Sequence, residues 1–226
     1  VAASAAKFAS DMRLLQTFGE LEEPFEKEQI GSSAMAYKRN PMRSERINSL
    51  ARFVLSLEPN ANETHSVQYF ERTLDDSANR RLVIPEMFLA TDAILLIMRN
   101  IAAGLEVHPA RIARRVSDEL PFMATEELIV RAVEGGGDRQ AVHEVIRRHS
   151  VAAANAVKDG AARNDMLDRL AADPEFPVPM DDLLAVLDAR QFVGRASEQV
   201  TEFIRDVVNP LMSASLESMS SEALRV

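Results

Sequence analysis

The stretch DSANRRLVIPEMFLATDAILLIMRNIAA, residues 76–103, decides the fold. Asp76 or Ser77 stands where a helix cap is needed and Gly104 follows the end, so the pattern predicts one long helix. Leu82, Ile84, Phe88, Leu89, Ile94, Leu95, Ile97 and Ile101 spread apolar surface over most of its sides. A helix apolar nearly all round is buried among several others. A chain of 226 residues with few long helices supplies too few neighbours, so partner subunits are expected to provide the rest. The fold class is all-α, built on a bundle of long helices.

Working outward, Pro41 fits the first turn of a second helix reaching about Leu57, with Ile47, Leu50, Phe53, Val54 and Leu57 as its apolar stripe. Pro59 and the region Asn60–Asn62 end it, and a connection follows from about Glu63 to Asp75. Phe8, Met12, Leu15 and Phe18 give residues 1–18 helical spacing, which Gly19 and Pro24 interrupt. Residues 20–40 have no period. Structureless loops longer than about 12–15 residues are usually functional or disordered, and residues 25–38 are expected to be mobile without ligand.

Downstream, Gly104 and Pro109 mark a boundary, giving a bundle part at 1–107 that carries the loop 25–40, and a small helical domain at 108–226. Its helices are expected near 109–118, 124–134, 138–157, 163–171, 180–187 and 195–212. Pro121, Gly135–Gly137, Gly160, Pro174–Pro179 and Gly194 separate them.

Composition excludes several classes. A formal charge of −9 argues against a general nucleic-acid surface. The absence of Cys removes disulfides, thiolate metal sites and thiol nucleophiles, and a cytoplasmic setting fits it. No apolar run approaches the roughly 20 residues that cross a bilayer, so no membrane partner is expected. The start VAASAAKFASDMRLL, with Lys7 and Asp11, reads as a helix beginning rather than a signal peptide. Because it opens on Val1, the chain reads as a fragment or a processed product.

Against this acidic background, Lys38, Arg39, Arg43 and Arg46 fall within nine residues, and Arg72, Arg80 and Arg81 form a second group. Arg43 and Arg46 are three apart and are expected to share a helix face. Such a set suits a ligand with several carboxylates or a phosphate. The competing reading is a solvated basic face at a helix start. The four histidines, His65, His108, His143 and His149, have no metal-ligand spacing, and neither metal nor cofactor is expected.

The segment GSSAMAYKRNP, 31–41, resembles the signature loop of the fumarase/aspartase superfamily, Ser-Ser-x-Met-Pro-x-Lys-x-Asn-Pro, with Ser32, Ser33, Met35, Lys38, Asn40 and Pro41 in register. Ala36 stands where that family usually has Pro, which frees one amide and loosens φ. The longer blocks EEPFEKEQIGSSAMAYKRNPMRSER, YFERTLDDSANRR and ELPFMATEE resemble the adenylosuccinate lyases, over most of the chain.

The resemblance implies a long-helix bundle of the fumarase/aspartase type followed by a small helical C-terminal domain, in a homotetramer whose active sites draw on three subunits. It implies β-elimination of fumarate from adenylosuccinate and from the succinylated aminoimidazole carboxamide ribonucleotide, with a purine nucleotide substrate. Ser32 would be the base, and Lys38 and Asn40 would hold the succinyl carboxylate. Ser33, Arg46, Arg72, Ser77 and Arg81 would bind substrate, with Arg72 and Arg81 suited to the phosphate, whereas Arg43 and Arg80 read as ion-pairing residues. The general-acid histidine of that family lies upstream of this sequence, so the chain alone is expected to be inactive. The alternative is a non-catalytic helical scaffold derived from the same fold.

Overall fold

A computed structural model describes residues 1–26, 35, 37–71 and 73–215. The expected ligand-dependent mobility of residues 25–38 falls mostly on positions outside the described residues. The described residues divide into two compact units, Val1–Arg111 and 112–215.

In the first unit, α1 (Ala2–Thr17), α2 (Met42–Leu57) and α4 (Asp76–Ala103) form the core, with α2 packed against the other two. Each contributes one stripe at helical spacing: Ala2, Ala5, Ala9 and Met12 from α1; Ile47, Ala51 and Val54 from α2; Ala90, Ile94, Ile97 and Ile101 from α4. The alanines of α1 let the backbones approach closely. The long helix spans 76–103 as expected, and it runs through Pro85, which offers no amide for its rung of the ladder. Only its core stripe is covered here. Leu82, Phe88 and Leu89 stand exposed, Phe88 at 75 %.

Three local readings change. Pro59–Ser66 forms a short helix, α3, where the sequence suggested a helix end and a connection. PNANETHS has no apolar stripe and buries nothing, so periodicity could not reveal it. Neither Asp76 nor Ser77 caps α4; its N-cap is Asp75, with no side-chain cap bond. Two very short strands, β1 (Leu21–Glu22) and β2 (Glu106–Val107), pair antiparallel, Leu21 opposite Val107 and Glu22 opposite Glu106.

The ribbon is set by turns at both ends. Gly19 (φ 68°) closes α1, with its N–H donating to Gln16 O (3.0 Å) and the Glu20 N–H to Leu15 O (3.0 Å). Gly104 ends α4 where a Cβ would lie 2.6 Å from Pro24 Cβ, so the chain leaving β1 passes only because no side chain is there.

The start of α2 is held from a distance. Pro41 has no side-chain cap bond to offer. The buried carboxylate of Glu23 accepts instead from the Arg43 N–H (2.9 Å) and the Ser44 N–H (2.6 Å). Arg43 is 1 % exposed; its guanidinium donates to Pro24 O and to Glu26 Oε1 (3.0 Å). Arg43 is thus an ion-pairing residue within the fold. It does not share its surroundings with Arg46, which is exposed, because residue 43 lies at the edge of the buried 47–51–54 stripe. Glu23→Ala leaves two buried amides without their acceptor. It is expected to cost ~2–4 kcal/mol, read as a lower denaturant midpoint with an unchanged slope. An unchanged midpoint would refute the capping role.

The second unit contains most of α5 (Pro109–Met123), then α6 (Thr125–Glu134), α7 (Arg139–Lys158), α8 (Met166–Ala171) and α9 (Met180–Ala185). A 3-10 turn (Ala189–Phe192), α10 (Ala196–Phe203), a π-helical segment (Ile204–Val208) and α11 (Asn209–Ser215) follow. Pro121 lies inside α5 rather than ending it; it sits in the last turn, where Leu120 and Pro121 are both buried. Leu128, Val142, Ile146, Met166, Leu170 and Leu183 are central in this unit's core. Gly135–Gly137 end α6 as expected, and Asp138 caps α7 by accepting from the N–H groups of Gln140 (3.1 Å) and Ala141 (3.0 Å).

A polar clip joins α7 to the turn after α8: the Asp173 carboxylate meets His149 Nε2 (2.6 Å) and Arg148 Nη2 (2.7 Å). The contact with His149, then the Glu175 amide and Arg148, hold Asp173 down to about 2 from its ordinary 3.8. A carboxyl depressed on folding stabilises above its unfolded pKa of about 4. That contribution is lost as pH falls through the folded value. Asp173→Asn is therefore expected to lower the melting temperature at neutral pH, with the gap to the parent closing as pH falls from about 4 towards about 2. A gap independent of pH would contradict it.

Candidate active site

The end of α1, residues 38–41 and the first turn of α2 enclose a cleft of about 650 Å³ in the first unit. Ser10, Arg13 and Thr17 line it from α1, at spacings of three and four that put them on one face, beside the stripe of buried alanines. Lys38 and Asn40 line it from the loop, and Glu45 from α2. Among the described residues no carboxylate pairs with Arg13 or Lys38. Among the described residues Glu45 supplies the lone carboxylate of the lining. A cleft with two cations left without carboxylate partners attracts an anion.

The Lys38 N–H donates to Met35 O (3.0 Å), closing a turn just before the cleft. Arg39, which lines the cleft between Lys38 and Asn40, carries its guanidinium to the ribbon, donating to Glu22 Oε2 (2.8 Å) and Glu106 Oε2 (3.0 Å). The bond to Glu106 raises its pKa above the ordinary arginine value; burial opposes this in part, and the bond to Glu22 adds to the rise. Gln16 Nε2 donates to Arg39 O (3.1 Å), and Gln16 Oε1 accepts from the Glu23 N–H (3.3 Å). The Asn40 carbonyl accepts from the Met42 N–H (2.8 Å), while the Glu23 carboxylate caps the start of α2.

The other expected site residues are not gathered here. Ser32, Ser33 and Arg72 lie outside the described residues. Arg46 is exposed on α2 and does not line the cleft. Ser77 and Arg81 stand together at the start of α4, where Arg81 Nη1 donates to Ser77 O and Ser77 Oγ, both at 2.5 Å. Neither lines the cleft. Nearby, Arg80 pairs with Asp76 (3.6 Å). Asp75 accepts from Thr73 Oγ1 and from Gln68 Nε2 (2.9 Å), contacts that hold its pKa below the usual range, Thr73 foremost. Arg13 and Thr17 were not singled out from sequence. The signal was there: a polar stripe, Ser10–Arg13–Thr17, with one arginine on an otherwise uncharged face.

Among the described residues, Glu22, Glu106 and His108 have ligand atoms within 4.8 Å of one another, a spacing able to hold a metal ion. The Arg39 guanidinium already rests on both carboxylates and supplies the positive charge there.

These helices and this cleft define the class. Solved structures with the same architecture include the 3-carboxy-cis,cis-muconate lactonizing enzyme from Pseudomonas putida, at a TM-score of 0.72 and 22 % identity over 90 % of this chain and 44 % of that one. At that identity the likeness speaks for the fold alone: a predominantly helical, fumarase/aspartase-type bundle. Residues 121–203 match the family model described as adenylosuccinate lyase C-terminus, and residues 1–56 the model described as lyase. The adenylosuccinate lyase of Schizosaccharomyces pombe is 49 % identical over 220 residues, 97 % of this chain and 45 % of its own length. That of Saccharomyces cerevisiae is 49 % identical over 225 residues, 100 % of this chain and 47 % of its own length. The chain belongs to the adenylosuccinate lyases and corresponds to their C-terminal portion. It spans about half the length of the curated relatives it matches.

Proposed function

We propose that the full-length protein containing this chain eliminates fumarate from adenylosuccinate to give AMP, and from the succinylated aminoimidazole carboxamide ribonucleotide, in purine nucleotide synthesis in the cytoplasm. The observation that carries this reading is the cleft lined by Lys38, Asn40 and Arg13, with neither Lys38 nor Arg13 engaged by a carboxylate among the described residues. In the elimination a base takes the proton from the carbon beside a succinyl carboxylate, and the electron pair left behind is delocalised into that carboxylate. It then forms the new C=C bond as the C–N bond breaks, and an acid protonates the departing nitrogen. Ser32 takes the first proton, after its hydroxyl has been activated by its surroundings. Lys38 and Asn40 stabilise the charge that builds on the carboxylate. Ser33 hydrogen-bonds the substrate or the loop. The acid is a histidine supplied from outside this chain.

In this reading residues 1–107 are the later part of the central bundle, with the signature loop at 25–40, and residues 108–226 are the small C-terminal domain. Arg46, Arg72, Ser77 and Arg81 bind the nucleotide, and Ser77 and Arg81 do so in a site shared between copies. Two observations support a homotetramer with shared sites: Ser77 and Arg81 do not line the cleft of their own chain, and Leu82, Phe88 and Leu89 of α4 are exposed. Large apolar side chains in a contiguous exposed patch mark an interface. Among the described residues no helix is long and apolar enough to cross a membrane. The test is product analysis of purified full-length protein given adenylosuccinate, with light scattering alongside. Fumarate and AMP in equal amounts from a tetramer are expected. A tetramer that forms neither product would favour a non-catalytic helical scaffold, and a monomer would remove the shared-site reading.

A further inference from the structure

We propose that Arg39 is a positioning residue, an anchor that ties the signature loop to the ribbon and thereby aims Lys38 and Asn40 into the cleft. The inference rests on the lyase reading for what Lys38 and Asn40 do, but its geometry stands apart. Lys38, Arg39 and Asn40 all line the cleft, and Arg39 carries its guanidinium to the ribbon. Its guanidinium bridges Glu22 on β1 (2.8 Å) and Glu106 on β2 (3.0 Å) and lies 5.0 Å from the centre of the Phe25 ring. On the opposite side its carbonyl is held by Gln16 of α1 (3.1 Å). One residue is therefore fixed from three segments distant in sequence.

The arrangement also answers a problem within the ribbon. Its register sets Glu22 directly opposite Glu106, and like charges facing each other across strands are destabilising. Arg39 places a permanent positive charge on both carboxylates. His108 Nε2, 3.6 Å from Glu22 Oε2, is the other nitrogen base at this spot. Removing Arg39 would free the loop and restore the repulsion between the strands that anchor it. Reacting groups displaced by about 1 Å lose on the order of a hundredfold in rate, so the effect should reach Lys38 and Asn40 on either side of Arg39.

The experiment compares Arg39→Met, Arg39→Lys, Glu106→Gln and the double variant Arg39→Met/Glu106→Gln in the full-length protein. It measures fumarate release and amide hydrogen exchange over residues 37–40. Arg39→Met should lower kcat by about 30- to 100-fold with a smaller change in KM, and should speed exchange of those amides by at least about tenfold. Arg39→Lys should recover only part of the loss, because one ammonium does not fork across two carboxylates. The double variant should be no worse than Arg39→Met, since both changes break the same bridge. Turnover within about threefold of the parent, or unaltered exchange at 37–40, overturns the anchor. Additive losses in the double variant overturn the bridge as its mechanism. If Arg39→Met does not fold, Arg39→Lys and Glu106→Gln decide by the same two readouts. A parent protein without turnover would sink the lyase reading alone, and exchange would still decide the anchor.

Discussion

Ser32→Ala in the full-length protein is expected to lower fumarate turnover by at least about a hundredfold while adenylosuccinate still binds. Removing a group used only in proton transfer raises the barrier without removing the contacts that hold the ground state. The expectation rests on the register of GSSAMAYKRNP, in which Ser32 is the first serine of the signature pair. Ser33→Ala should be milder, because a substrate or loop hydrogen bond contributes to binding more than to the proton step. Steady-state kinetics with a direct binding measurement separates the two. Near-normal turnover of Ser32→Ala would contradict the assignment, and the reverse order of effects would move the base to Ser33.

The second large effect is expected at Lys38. Lys38→Met should reduce kcat by about 100- to 1000-fold, more than it weakens binding, because the charge it faces is greatest when the proton has left the carbon. The structure supports this through what Lys38 does not do: it forms no ion pair among the described residues, so its charge is available to the cleft. Arg13→Met offers the contrast. Arg13 lines the same cleft from α1, and its removal is expected to raise KM with a smaller fall in kcat, the pattern of lost ground-state binding. Equal falls in kcat for the two variants would place both cations at the reacting carboxylate. An unaffected Lys38→Met would remove Lys38 from the mechanism.

Much of the architecture was legible in the residues. The helices beginning at Ala2, Met42 and Asp76 were readable because their apolar stripes are long and each end carries a breaker: Gly19, Pro41, Gly104. The apolar excess of residues 76–103 was also readable as surface that this chain does not cover. What escaped was short or distant. Two-residue strands have no alternation to detect. Pro121 reads as a terminator until the burial of the last turn of α5 is known.

Within the site, the loop residues announced themselves by motif, whereas the α1 lining and the role of Arg39 depend on side chains brought together from far along the chain. The run Lys38, Arg39, Arg43, Arg46 illustrates the limit. As sequence it is one basic patch; folded, it is four different things. Lys38 faces the cleft, Arg39 grips Glu22 and Glu106, Arg43 is buried against Pro24 and Glu26, and Arg46 lies exposed on α2. The partners that separate these fates lie 15 or more residues away, beyond the reach of any local pattern.

The claim that this chain holds the base and the carboxylate-binding groups of a lyase site, but not its acid, is tested most directly by fumarate release from adenylosuccinate. Residues 1–226 alone are to be assayed beside the full-length protein at equal concentration. The prediction is clear release by the full-length protein and none above background by residues 1–226. Substantial release by residues 1–226 alone would contradict it, since every group the elimination needs would then lie within this chain.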